Sequence, residues 1–210
     1  MFTGLIKGLG KIVEIEQFRG GRKISVRWND FTDEKIKSGA SVAIDGVCLS
    51  IEKLSGDIAY FTAVEETIER TTLKYLKNDD IVNIEMPMTP QNFLDGHIVQ
   101  GHIDCIGKIV EFKQIGAQSL LRVNYDRKFA KYIVEKGSVA IDGISLTVAE
   151  CDEDYFDCAI IPETMNRTIL SRKNIGDFVN LEFDIIAKYV DKLLDNSNEL
   201  SNDDDFAASY

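Results

Sequence analysis

The sequence predicts an all-β protein in the main: two tandem copies of one small antiparallel barrel, followed by a single helix. Three observations lead there. An ungapped shift of 97 residues lays positions 1–97 on 98–194 with 27 identities, where ordinary residue frequencies give roughly 6. Within each copy, short apolar segments are punctuated by Gly and Asp turns, the pattern of a small closed barrel. Beyond the second copy the apolar period becomes helical.

The identities fall in blocks. Gly4–Glu14 faces Gly101–Glu111 with 7 of 11 identical, and Ser41–Ile51 faces Ser138–Val148 with 7 of 11. Glu66–Leu73 faces Glu163–Leu170 with 5 of 8, and Asp80–Glu85 faces Asp177–Glu182 with 4 of 6. A 97-residue period is too long for a solenoid, whose units run to about 50 residues. The domain reading is therefore 1–97, 98–194 and a tail at 195–210.

The elements follow in chain order. Lys23–Trp28 and Leu120–Tyr125 are short, partly alternating strands. Phe31–Lys37 and Lys128–Lys136 occupy matching places and read as helical. Asp45-Gly46 and Asp142-Gly143 sit between β-branched residues and read as tight hairpin turns. Glu66–Leu76 and Glu163–Arg172 read as a second pair of helical segments, before strands over Ile81–Glu85 and Phe178–Glu182. Ile186, Val190 and Leu194 then recur every four residues, joined by Tyr189 and Leu193, with Asp184 placed to cap the start. The tail has five acidic residues and no basic one, and reads as solvated.

Composition narrows the function. The chain carries 24 basic and 35 acidic residues, a net charge of −11. That argues against nucleic-acid or anionic-membrane binding, which needs clustered Lys and Arg. No apolar run approaches the roughly 18–20 residues of a membrane span. Met1–Lys7 lacks the pattern of a secretory leader. Cys48, Cys105, Cys151 and Cys158 form no CxxC pair and only His97 and His102 are present, so a zinc site is not expected. Free thiols in a reducing cytoplasm are the expectation.

The copies differ chemically at a few aligned positions: Cys48 faces Ser145, Leu5 faces His102, Pro87 faces Asp184 and Gly39 faces Lys136. Two similar pockets with unlike polar groups suit two related ligands, or one ligand bound in two roles.

These blocks also carry a family resemblance. The Met-Phe-Thr-Gly start, the segment Asp95–Asp104, the paired Asp-Gly-Val-Cys-Leu-Ser and Asp-Gly-Ile-Ser-Leu-Thr motifs, and Ile161–Arg167 resemble riboflavin synthases over residues 1 to about 194. The resemblance implies two six-stranded antiparallel Greek-key barrels and a C-terminal helix. It implies a homotrimer whose active site lies between the N-terminal barrel of one subunit and the C-terminal barrel of the next. The implied reaction is a dismutation of two 6,7-dimethyl-8-ribityllumazine molecules to riboflavin and 5-amino-6-ribitylaminouracil, with no cofactor and no metal. Association with lumazine synthase, the enzyme that makes the substrate, stays open as a further partnership.

Carried over position by position, the implied catalytic residues are Cys48, His102, Lys136, Ser145 and Asp184. Each has a plainer reading beside it. Cys48 is a potential thiolate or a small buried hydrophobe. His102 is a proton shuttle or a structural imidazole. Lys136 is a substrate contact or a solvated lysine, and Asp184 is a base or a helix cap. Ser145 and Thr147 are ligand contacts or ordinary strand hydroxyls. The substrate-binding set adds Phe2, Gly4, Leu5 and Ile6, then Leu49 and Ser50, then Thr62, Ala63, Val64, Glu65, Glu66 and Thr67. From the second copy it adds Gly101 and Ile103, Leu146 and Thr147, then Ile161, Pro162, Glu163, Thr164, Met165 and Asn166. Ser50 stands where the motif usually has threonine. His97 reads as structural, and Cys105, Cys151 and Cys158 as packing. The rival readings are a non-catalytic lumazine- or flavin-binding antenna protein, and a flavin module for electron transfer. The second needs a nicotinamide domain for which 210 residues leave no room.

Overall fold

A computed structural model describes residues 1–32, 36–91 and 93–195. The first half supplies β1 (Gly8–Phe18), β2 (Gly21–Arg27), β3 (Ser41–Ile44), β4 (Val47–Ser55), β5 (Ile58–Val64) and β6 (Ile81–Glu85). They close into an antiparallel barrel in the order β1-β2-β5-β4-β3-β6. The second half repeats this with β7 (Cys105–Ile115), β8 (Gln118–Asn124), β9 (Ser138–Ile141), β10 (Ile144–Cys151), β11 (Tyr155–Ile160) and β12 (Phe178–Phe183). Even the bulges coincide: one lies between Ile12 and Glu14, the other between Ile109 and Glu111. Among the described residues, closure leaves neither barrel a free strand edge.

Alternation fills the barrels. β5 places Ala59, Phe61 and Ala63 inward, and β8 places Ser119, Leu121 and Val123 inward. Each half has its own core, one around Ile24, Phe61 and Ile84 and one around Leu121, Phe156 and Leu181. A small third cluster of Phe2, Ala43, Val99 and Ala140 lies between them.

The Asp-Gly turns are as expected. Asp45 and Gly46 have φ of 46° and 78°, and Asp142 and Gly143 have 46° and 79°. Positive φ at both turn residues matches the twist of the strands they join. The helical expectations need correction. Phe31–Lys37 and Lys128–Lys136 hold only 3-10 turns at Asn29–Thr32 and Arg127–Tyr132, and residues 33–35 lie outside the described residues. Their apolar residues serve a barrel end, too short a span for several helical turns. Glu66–Leu76 and Glu163–Arg172 each split into a short helix and a 3-10 turn. The helices are α1 (Glu65–Arg70) and α2 (Pro162–Arg167). The split falls at Thr71 and Thr168, whose extended backbone breaks the helix and whose hydroxyls accept from the amides of Leu73 and Leu170. The terminal helix, α3, spans 185–195 in the described residues, and Asp184 Oδ1 accepts from the Ile186 amide at 2.9 Å. The acidic tail lies outside the described residues from 196 onward.

The barrels meet across a pseudo-twofold axis. Phe2 and Val99 exchange backbone hydrogen bonds of 2.7 and 3.2 Å. Gly46 and Gly143 touch: a Cβ on Gly46 would stand 2.5 Å from the Gly143 nitrogen. Asn83 on β6 accepts from the Ile169 amide at 2.9 Å and donates to the Asp142 carbonyl at 2.9 Å. Asn180 on β12 repeats this with the Thr72 amide at 2.7 Å and the Asp45 carbonyl at 2.8 Å. Asn180→Ala strands a buried donor and a buried acceptor, so the free energy of unfolding should fall by roughly 2–4 kcal/mol in urea titration. A loss under about 0.5 kcal/mol would show that the junction is wet.

Candidate active site

The two hairpins that follow the Asp-Gly turns present the aligned Cys48 and Ser145. On β4, Leu49 points into the core while Cys48 and Ser50 face outward. On β10, Leu146 points inward while Ser145 and Thr147 face outward. Strand alternation thus sets each thiol or hydroxyl on the outer surface of its barrel.

The segments ahead of β1 and β7 lie across these surfaces, and they cross over. Residues 4–6 of the first half run over the second barrel. The Ser145 amide donates to the Gly4 carbonyl at 2.8 Å, and Ile6 packs on the second core. Residues 101–103 of the second half run over the first barrel. The Cys48 amide donates to the Gly101 carbonyl at 3.0 Å, and Ile103 packs on the first core. Both crossing points require glycine. Gly4 has φ +76° and Gly101 has φ +82°, and a Cβ would lie 2.6 Å from Ser145 Cβ or 2.5 Å from Cys48 Cβ.

Two carboxylates hold the crossing segments. Glu85, at the end of β6, accepts from the amide and hydroxyl of Thr3, both at 2.7 Å, and from the Gly4 amide at 3.0 Å. Glu182 on β12 accepts from the amides of Gln100 at 2.6 Å and Gly101 at 2.8 Å. Burial raises both side chains' pKa, Glu182 to about 7, against the pull of these amides.

Around Ser145 the arrangement forms a cavity of about 380 Å³ lined by Gly4, Leu5, Ile6, Ser145, Ile161 and Thr164, among others. Glu163 also lines it and pairs with Arg167 at 3.3 Å. In the first half Glu66 and Arg70 repeat that pair at 3.3 Å. Thr62 and Ala63 stand on β5 with Val64 at its end, and Glu65, Glu66 and Thr67 open α1. Pro162, Met165 and Asn166 belong to α2, and Met165 packs on the second core. His102 is exposed beside Gly101. Phe2 is buried between the barrels in the cluster that Cys48 touches.

Lys136 stands elsewhere on the second barrel, and Asp184 heads α3 on the His97 side. Lys136, at φ 66°, bonds the Ala149 carbonyl at 3.2 Å and pairs with Glu135 at 3.2 Å. Asp184 caps α3 and lines a groove of about 440 Å³ with Ser138, Val190 and Leu194. Cys158 is fully buried, and Cys105 and Cys151 pack against the second core. Burial pushes the Cys105 thiol up to about 12 and Cys158 higher still, so neither offers a thiolate at neutral pH.

His97, expected to be structural, instead stands at the site. His97 Nδ1 lies 2.7 Å from Ser145 Oγ, while its Nε2 is buried and without a hydrogen-bond partner. Burial holds the imidazole below its ordinary pKa, and the nearby Asp184 carboxylate pulls the other way. A neutral imidazole so placed can accept the serine proton. Gly96 ahead of it lets the backbone pass close: a Cβ there would stand 2.1 Å from the Thr3 carbonyl and 3.1 Å from Ser145 Oγ.

Paired barrels with crossed, glycine-bearing segments define a tandem duplicated-barrel protein with a site on each barrel. The lumazine binding domain profile matches twice, over residues 3–87 and 100–184. The chain belongs to the riboflavin synthase family, and it is an enzyme of the transferase class. It is 38% identical over 194 residues to the riboflavin synthase of Actinobacillus pleuropneumoniae, spanning 92% of this chain and 90% of that one. It is 35% identical over 199 residues to that of Schizosaccharomyces pombe, spanning 93% and 94%. Its fold matches LumP complexed with 6,7-dimethyl-8-(1'-D-ribityl) lumazine at a TM-score of 0.78 and 20% identity, spanning 87% of this chain and 99% of that one. LumP complexed with riboflavin matches at 0.80 and 21%.

The Glu182 carboxyl has a testable signature. Its folded pKa of about 7 lies above the ordinary 4.5, so between those values the folded chain binds more protons than the unfolded one. Its contribution to stability is therefore full below the ordinary value and is lost as pH rises toward 7. The urea midpoint should fall between about pH 5 and pH 7.5, and Glu182→Gln should flatten that slope. An unchanged slope in the variant would assign it to other groups.

Proposed function

We propose that the protein is a riboflavin synthase that dismutates two 6,7-dimethyl-8-ribityllumazine molecules. One gives up a four-carbon unit to the other, yielding riboflavin and 5-amino-6-ribitylaminouracil. One observation carries the reading: the two barrels hold equivalent clusters with unlike polar groups, Cys48 with the crossing Gly101–His102 and Ser145 with His97 and the crossing Gly4. A reaction between two identical substrates in different roles needs two alike pockets with unlike chemistry.

The substrate brings its own activation. Its C7 methyl is acidic because the carbanion delocalises into the ring. The enzyme orients two such rings, moves protons and assists a nucleophilic addition. Holding two reactants in reacting geometry is worth about 7–11 kcal/mol, and positioned proton transfer adds roughly 10²–10⁴-fold. Orientation therefore dominates. His97, kept neutral by burial, accepts the Ser145 proton or orients its hydroxyl. Cys48 and His102 serve the other ring. Lys136 and Asp184 act from the C-terminal barrel on the substrate of a neighbouring subunit. The crossing segments, α1 and α2 wall the rings and ribityl chains.

That placement needs a trimer, and the exposed face of α3 supports one. On α3, Tyr189 and Leu193 are 66% and 68% exposed, and Ile186 is also open. Ion pairs of Lys188 with Asp104 and Lys131 with Asp191 tie the helix to its barrel and leave this apolar stripe outward. Three such stripes bury one another in a homotrimer, the active site forming between unlike barrels of adjacent subunits. A biosynthetic role of this kind suits the cytoplasm, and it leaves association with lumazine synthase open.

The direct test follows riboflavin formation from the ribityllumazine by purified protein. Stoichiometric binding without turnover would favour the non-catalytic antenna reading instead. Cys48→Ser and Asp184→Ala should each lower kcat by about 10-fold or more while leaving Kd within about 3-fold. Equal losses in both would make them structural. Truncation after Ile185 should give monomers of low activity by sedimentation and assay, and a fully active monomer would reject the shared site.

A further inference from the structure

We infer that Glu85 and Glu182 are positioning residues that work crosswise. Each pins the segment that roofs the ligand cluster of the opposite barrel. Glu85 ends β6 of the first barrel, yet the Thr3–Gly4 backbone it grips lies on Ser145 of the second. Glu182 lies on β12 of the second barrel, yet the Gln100–Gly101 backbone it grips lies on Cys48 of the first.

The chemistry of the grip fits positioning. Both carboxylates are 2% exposed. Each spends both oxygens on backbone amides, with the Thr3 hydroxyl added at Glu85. A buried carboxylate is retained at a cost unless its lone pairs are filled. Successive amides of a glycine-containing turn converge on such an acceptor as on a bound anion. Lacking a Cβ, Gly4 and Gly101 take positive φ freely, and the grip fixes the amides beside them. The amide ahead of each crossing is anchored from below, so the carbonyl points at the partner hairpin. Neighbouring charges leave the carboxylates to this task. Lys188 near Glu182 is already bonded to Asp104 at 2.6 Å, and exposed Lys7 near Glu85 makes no ion pair among the described residues.

The consequence is reciprocal dependence. The ligand site on either barrel is set by a side chain rooted in the other, so neither half on its own presents a finished site. This rests on the clusters being the lumazine sites.

The test uses the full-length chain with Glu85→Gln and Glu182→Gln, read by hydrogen exchange and by riboflavin titration. Glutamine keeps the shape but turns a donor toward an amide donor. Glu182→Gln should speed exchange at Gly101 and Cys48 while sparing Ser145, and Glu85→Gln should do the reverse. Iodoacetamide labelling of Cys48, followed by peptide mass spectrometry, should quicken in Glu182→Gln alone. In titrations, each variant should weaken one class of riboflavin sites by roughly 10-fold or more and spare the other. Faster exchange confined to the strand carrying the substitution, or equal at both crossings, would overturn the crosswise role. So would crossed exchange with both classes of site unchanged. If wild-type protein binds no riboflavin, the lumazine-site reading fails while the exchange pattern still judges the grip. Should a variant not fold, Gly4→Ala or Gly101→Ala displaces the same segment from above and must produce the same crossed pattern.

Discussion

The structure depends on a buried, reciprocal junction in which each barrel completes the hydrogen bonding of the other. Asn83 and Asn180 are 1% and 0% exposed. Each fills its amide from the opposite half, taking one backbone donor and one backbone acceptor. A buried polar group left unpaired costs more than a good contact returns, so the barrels can pack here only in the register that pairs these groups. The junction fixes where the Asp-Gly turns meet and which hairpin lies beneath each crossing segment.

The junction is symmetric in shape and asymmetric in charge. Asp45 and Asp142 are both buried, and each takes the amide of its own barrel's asparagine, Asn83 or Asn180, at 2.7 Å. Lys173 pairs with Asp142 at 3.1 Å, but Leu76 occupies its place in the first half. Burial and the neighbouring Asp142 charge raise the Asp45 carboxyl well above its ordinary range. Burial raises the Asp142 carboxyl too, and Lys173 stands as the one aligned lysine near both buried acids although the backbones of the halves repeat. The same division appears at the surface, where Cys48 and Ser145 hold equivalent places with different chemistry.

Much of the architecture was legible because duplication repeats every local signal. Strand alternation, the Asp-Gly turns and the Asp184 cap follow from short-range sterics and hydrogen bonding, and they stand where the spacing put them. Of the helical segments, the terminal one stands, two shorten to α1 and α2, and two reduce to 3-10 turns. Apolar residues packing a barrel end mimic a helical period over one or two turns, as at Phe31 and Phe129. The polar residues of the aligned hairpins were also legible, through their mismatch between copies. His97 was not, because it follows the linker rather than a repeated block and its aligned partner, Leu194, lies in a helix.

The sequence by itself determined the duplication, the strand content, the turns and the unlike residues at equivalent positions, since each is encoded within a few neighbouring residues. It could not tell which barrel each glycine-bearing segment covers. In sequence, Gly4 precedes Cys48 and Gly101 precedes Ser145. In space, Gly4 lies on Ser145 and Gly101 on Cys48. That exchange was decided by the tertiary structure. The buried contacts of Phe2, Val99, Gly46 and Gly143 set the two barrels against each other, and a carboxylate on each last strand anchors the crossing segment there.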